Sequence, residues 1–111
     1  MKVRWFELYG QDVAVDEKDR EWVMIAEAEF CGRSIARVRT YIPGRGLLVA
    51  KIVDCELTNE VWCTQADVAQ IEREGEEGIL AAARMDRRLA RSFKEVFRSR
   101  QRRLRPHRVR S

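Results

Sequence analysis

A chain of 111 residues, 45% of them hydrophobic, has material for one modest core and not for two. No apolar run approaches the ~20 residues of a membrane span, and residues 1–10 lack the apolar stretch of a secretory signal, so a cytoplasmic protein is expected. The charge is divided rather than mixed: residues 84–111 hold 12 of the 22 Lys/Arg and 2 of the 18 acids, a net of +10, against −6 for residues 1–83.

Residues 2–9 are rich in β-branched and aromatic side chains and read as a strand. Residues 11–20 carry Asp12, Asp16, Glu17 and Asp19 and read as an acidic surface loop; they lack the twelve-residue pattern with central glycine that calcium requires. Residues 21–30 and 34–42 alternate apolar and polar over a hairpin length. A three-residue loop of Cys31, Gly32 and Arg33 would pair Phe30 with Ser34 and Glu27 with Arg37. That register gathers the apolar sets on one face and leaves Glu27, Glu29, Arg37 and Arg39 as a salt-bridged outer surface. Pro43, Gly44, Arg45 and Gly46 mark a turn, without the lysine and spacing of a phosphate-binding loop. Residues 47–57 follow as a long apolar strand, with a short fifth strand at 60–63.

Thr64 opens a helix: Asp67 stands three residues on, and Cys63 and Val68 occupy the staple positions. Gly75 is placed to end it, and Glu76 and Glu77 suit the positive end of a second helix. At 100° per residue, Ile79, Ala82, Met85, Leu89, Ala90, Phe93, Val96, Phe97 and Leu104 of that second helix share an arc of about 140°. Arg84, Arg87, Arg88, Arg91, Lys94, Arg98, Arg102 and Arg105 share the opposite arc of about 120°. Pro106 ends the helix before a short basic tail. The expected fold is α+β: an antiparallel β-meander of about four strands, a short helix, and a long amphipathic C-terminal helix packed on the sheet. It makes a single domain over residues 1–105 with a tail at 106–111.

The site chemistry excludes more than it names. Cys31, Cys55 and Cys63 form no CxxC and number three, so reduced, partly buried thiols are expected; four close Cys/His ligands for zinc are lacking, and no cofactor is implied. His107, the only histidine, lies in the tail, and no nucleophile–base pair can be assembled on a rigid element, so the protein is not expected to be an enzyme. Membrane-surface binding would require Leu89, Phe93, Val96 and Phe97 to enter lipid, yet the sheet needs such side chains for its own apolar face.

Nucleic acid is the leading partner. Cations at helical i, i+3/i+4 and i+7 positions present charge every ~5 Å, comparable with phosphates along a strand. Arg84, Arg87, Arg88, Arg91, Lys94, Arg98, Arg102, Arg103 and Arg105 are the candidate contacts for RNA or DNA backbone. Gln101 is almost the only side chain in the row suited to a base edge, so binding is expected to be largely sequence-independent. Two alternatives use the same charge. The arginines could occupy the acidic surface of a protein or nucleoprotein complex, as an inhibitor or accessory factor of the phage or anti-defence kind. Or the acidic stretch from Asp12 to Asp19 could neutralise them internally. A smaller idea concerns Arg37, Arg39 and Tyr41, whose interleaving resembles a stacking platform for single strands, although pairing with Glu27 and Glu29 explains them more simply.

Overall fold

The computed structural model describes residues 1–86, which form a six-stranded antiparallel sheet in sequence order and one helix: β1 Val3–Leu8, β2 Gln11–Asp16, β3 Glu21–Phe30, β4 Arg33–Ile42, β5 Gly46–Val53, β6 Glu56–Cys63 and α1 Gln65–Met85. The α+β meander is as expected; the strand count is six rather than four. Residues 11–16, expected as loop, are a strand because Val13, Ala14 and Val15 pair across both β1 and β3 while Asp12 and Asp16 flank them. The expected long strand 47–57 is two strands folded at Asp54 and Cys55, and the second extends through the expected short fifth one.

Three of the hairpins use two-residue loops, closed by the pairs Leu8/Gln11, Phe30/Arg33 and Val53/Glu56. Both central residues have positive φ in each: Tyr9 and Gly10, Cys31 and Gly32, Asp54 and Cys55. Such primed turns match the right-handed twist of the strands they join. The β3–β4 loop is therefore Cys31–Gly32, not the three-residue loop expected. The Pro43 turn is as read: Arg45 N–H donates to Ile42 O at 2.9 Å over Gly44 at φ 78°.

The β3–β4 register differs from the expected one in a way that changes both faces. Met24 pairs with Val38, but Ala26 pairs with Arg37 and Glu27 with Ala36, a bulge at Ile25 taking up the extra residue. The bulge switches side-chain parity within β3. Trp22 and Met24 face one side of the sheet, while Ala26, Ala28 and Phe30 face the other. Glu27 and Arg37 consequently stand on opposite faces, and the predicted Glu27/Arg37 surface does not form.

Each face has its own core. On the concave side Val3, Ala14, Trp22, Ala36, Val38, Leu48, Ala50, Ile52 and Leu57 pack together, with Met1, Trp5 and Met24 at the margin. All six strands contribute, because the sheet curls until its ends meet at one corner: Val3 N–H donates to Cys55 O at 3.0 Å and Leu57 N–H to Met1 O at 2.7 Å. On the convex side Ala28 and Ile35 pack against Ile79 and Ala83 of α1. Fully burying side chains such as Trp22, Ile35 and Ile52 stabilises by about 1.5–3 kcal/mol each.

Candidate nucleic-acid interface

The helix that leads into the basic segment is fixed at both ends. Thr64 Oγ1 accepts the Asp67 N–H at 3.1 Å and Asp67 Oδ2 accepts the Thr64 N–H at 2.8 Å, the reciprocal cap read in the sequence. The Thr64 backbone N–H first, and the Thr64 hydroxyl second, hold the Asp67 carboxyl below its usual range. Gly75 interrupts α1 at φ 53°, ψ −140°, so the helix is two rods joined at the predicted break. At the far end Asp86 N–H donates to Ala83 O at 3.1 Å, and Lys51 Nζ of β5 lies 3.4 Å from Asp86 Oδ2. Residue 86 is thereby tied to the convex face of the sheet.

Of the predicted contact residues, Arg84 is exposed in the last turn of α1. Arg87, Arg88, Arg91, Lys94, Arg98, Arg102, Arg103 and Arg105 lie outside the described residues, as does the predicted course of the helix beyond Asp86. Within the described turns the packed stripe is Ile79, Leu80 and Ala83, and the expected arc is corrected: Met85 is 86% exposed and Ala82 is exposed as well. The break at Gly75 frees the second rod to choose its own rotation. Ala83 lets it approach Ala28 closely, where a methionine would hold it off.

The acidic stretch named above as an internal partner for the arginines is partly committed elsewhere. Asp16 is 4% exposed. Its Oδ1 accepts the N–H groups of Lys18 at 2.8 Å and Arg20 at 3.0 Å; its Oδ2 accepts Arg20 Nε at 2.7 Å and Trp22 Nε1 at 2.9 Å. Burial alone would push this carboxyl up, but the bonds from Trp22, Arg20 and Lys18 outweigh it and hold the group below its usual range. Arg20 continues the chain to Glu60 Oε1 at 2.7 Å. Burial opposes its charge, and the carboxylates of Glu60 and Asp16 more than restore it. Glu17 accepts the Lys2 N–H at 3.1 Å.

Family models, curated proteins and solved structures were compared with the chain. None matches. The site must therefore be read from its own chemistry. Among the described residues no group of three or more His, Cys, Asp or Glu is placed to hold a metal, and no helix is long and apolar enough to cross a membrane. The Cys63 thiol is pushed up by burial, with Asp67 adding and Arg37 opposing, so it is a poor nucleophile at neutral pH.

Three Arg–aromatic contacts escaped the sequence reading, one of them inside the Asp16 cluster, where Arg20 Cζ lies 5.1 Å from the Trp22 ring centroid. Arg45 Cζ lies 4.9 Å from the Trp62 ring centroid, and Arg4 Cζ lies 5.9 Å from that of Phe6. Arg45 was legible as part of a basic glycine-rich turn. Its partner was not, because the pairing of Leu48 with Trp62 depends on a strand boundary at Cys55 that no glycine or proline marks. Lys51, the anchor for the end of α1, was likewise hidden inside an apolar run.

Proposed function

We propose that the protein is a non-enzymatic nucleic-acid-binding protein that contacts the phosphate backbone of RNA or DNA through its basic carboxy-terminal segment, largely without sequence choice. The observation that carries this reading is the charge division. Residues 87–111 hold 11 Lys/Arg and 1 acid, while residues 1–86 hold 11 Lys/Arg and 17 acids. A folded acidic body with a cationic extension suits a polyanionic partner, since counterion release from phosphates rewards clustered cations. The internal use of Asp16 and Glu17 supports it by leaving fewer acids to compete.

The test is fluorescence anisotropy with labelled oligonucleotides at low and moderate salt. Wild-type protein is expected to bind at 50 mM salt and to lose most of its affinity by 200 mM, as backbone contacts do. Joint reversal of Arg87, Arg91 and Arg98 to Glu should abolish binding and leave the circular dichroism spectrum unchanged. No binding at low salt, or indifference to the reversal, removes the reading.

A second reading has one specific observation in its favour. Among the described residues, beyond the corner contact at Glu56 and Leu57, the backbone of β6 pairs with β5 alone, and Thr58 through Trp62 are all exposed. Such an edge can receive a strand from a protein, as an inhibitor or accessory factor of a nucleoprotein complex would offer. Affinity capture with and without nuclease separates the two: a partner retained after nuclease treatment favours the protein reading.

A further inference from the structure

Within the sheet β3 overhangs β2. It pairs with β4 from Val23 to Phe30, but its pairing with β2 ends at Val23, opposite Val13. Residues 26–30 therefore have a strand on one side only, over about 17 Å at ~3.4 Å per residue. The two-residue loop makes Phe30/Arg33 a hydrogen-bonded pair, and alternation makes Ala28/Ile35 and Ala26/Arg37 the next two. The N–H and C=O groups of Glu27 and Glu29 consequently point away from β4, toward the open edge. Among the described residues no backbone hydrogen bond from another element reaches them.

The concave side of this overhang is acidic over a partly apolar floor. Glu27 and Glu29 stand on it two residues apart, about 7 Å along the strand. One hollow at the edge is bounded by Trp5, Asp12, Met24, Glu27 and Ser34. A second shares Glu27 and Ser34 and adds Ala28, Glu29 and Glu76 of α1. Asp12, Glu27, Glu29 and Glu76 are exposed, and among the described residues none of the four makes an ion pair. Charge of this sign keeps a polyanion away. Among the described residues no three of these groups converge closely enough to hold a metal ion. An extended basic peptide matches both the free backbone groups and the charge.

We propose that the open edge of β3 is a docking site for a basic peptide of a partner protein, bound in extended form as a strand added to the sheet. The backbone groups of Glu27 and Glu29 exchange hydrogen bonds with the guest strand. Arginine or lysine at alternate guest positions then falls opposite Glu27 and Glu29 on the concave face, the cross-strand arrangement that opposite charges favour. The next alternate position towards β2 meets the hollow of Trp5, Asp12 and Met24, where a guanidinium finds a carboxylate and an indole ring. The chain's own basic segment sets out from elsewhere: Glu76 stands at this edge, whereas α1 carries the chain on to Asp86, against Lys51 of β5. The site belongs to the sheet, and it rests neither on the nucleic-acid reading nor on the edge of β6.

The probe is a short labelled peptide of alternating arginine and threonine, titrated with the full chain at low salt and followed by anisotropy. The same peptide N-methylated at its arginines keeps the charge and loses the donors to Glu27 and Glu29; it should bind roughly tenfold more weakly. Joint Glu27→Gln and Glu29→Gln should weaken the unmodified peptide roughly fivefold and leave the melting curve unchanged, since both side chains are exposed. If that variant does not fold, hydrogen exchange of the wild-type chain supplies the measurement: the peptide should slow the Glu27 and Glu29 amides roughly tenfold. Equal affinity for the two peptides, or no change at those amides, overturns the proposal, because charge alone then holds the peptide. Absence of binding to the wild-type chain at low salt overturns it as well. If the two amides are already protected in the free chain, and the joint reversal of Arg87, Arg91 and Arg98 to Glu exposes them, the chain's own segment takes the place of the partner and the proposal falls.

Discussion

Asp16 illustrates how one residue's role inverts between sequence and structure. In the sequence it is one of four acids in a ten-residue stretch and reads as surface charge. In the fold it ends β2, is buried, and receives four hydrogen bonds from Lys18, Arg20 and Trp22. Nothing in its local sequence distinguishes it from Asp12, which stays exposed, because the donors come from a turn with Asp19 at φ 61° and from the start of β3. The consequence is a pH dependence of definite sign. Its folded-state carboxyl titrates below the usual value, so the stability it contributes is present in full above pH about 4 and is lost as pH falls through the lowered value. Asp16→Asn removes the charge and leaves Arg20 with Glu60 alone. Urea unfolding at pH 7 should show a loss of about 3 kcal/mol, the cost typical of breaking one side of a buried pair. Between pH 5 and 3 the gap between variant and wild type should shrink. A gap that stays constant would falsify the assignment of acid sensitivity to this group.

At the scale of elements, the legible parts are those whose backbone needs are written in glycine, proline or a cap. The Pro43–Gly44 turn, the Thr64/Asp67 cap and the break at Gly75 were all readable. The Asp54–Cys55 turn was not, since it reaches positive φ without glycine, and β2 was obscured by the charges at its ends. The bulge at Ile25 left only an indirect trace. Ile35 and Ala36 are neighbours on β4 and both buried, which a sheet covered on one face does not allow. Gly75 gives the sharpest test at this scale. A Cβ there would meet no atom within 4 Å, so the cost of a side chain is conformational alone. Gly75→Ala should destabilise the fold by about 1–2 kcal/mol in chemical denaturation. If the variant is as stable as wild type, the two rods do not need that break to seat Ile79 and Ala83 against Ala28 and Ile35.

For the whole molecule, the decisive quantity is how much of the +10 remains available for a partner. The body, residues 1–86, carries −6, and an acidic body would repel the polyanionic partner proposed for the segment. Two arrangements moderate that repulsion: the Asp16–Arg20–Glu60 chain spends charge internally, and the convex face of β4 turns Arg37 and Arg39 away from Glu27 and Glu29. Salt titration converts this into a number. If about eight of the 11 cations in residues 87–111 sit on phosphates, log Kobs should fall with log salt with a slope near −7 on duplex and near −6 on single strands. The triple reversal at Arg87, Arg91 and Arg98 should bring the slope closer to zero by about 2–3, since each lost phosphate contact removes about 0.7–0.9. Arg39→Gln should change it by less than 1, because a single cation is removed. A wild-type slope shallower than about −2 would mean that the segment's charge is neutralised within the chain or by a protein, and that the body rather than the segment makes the contact.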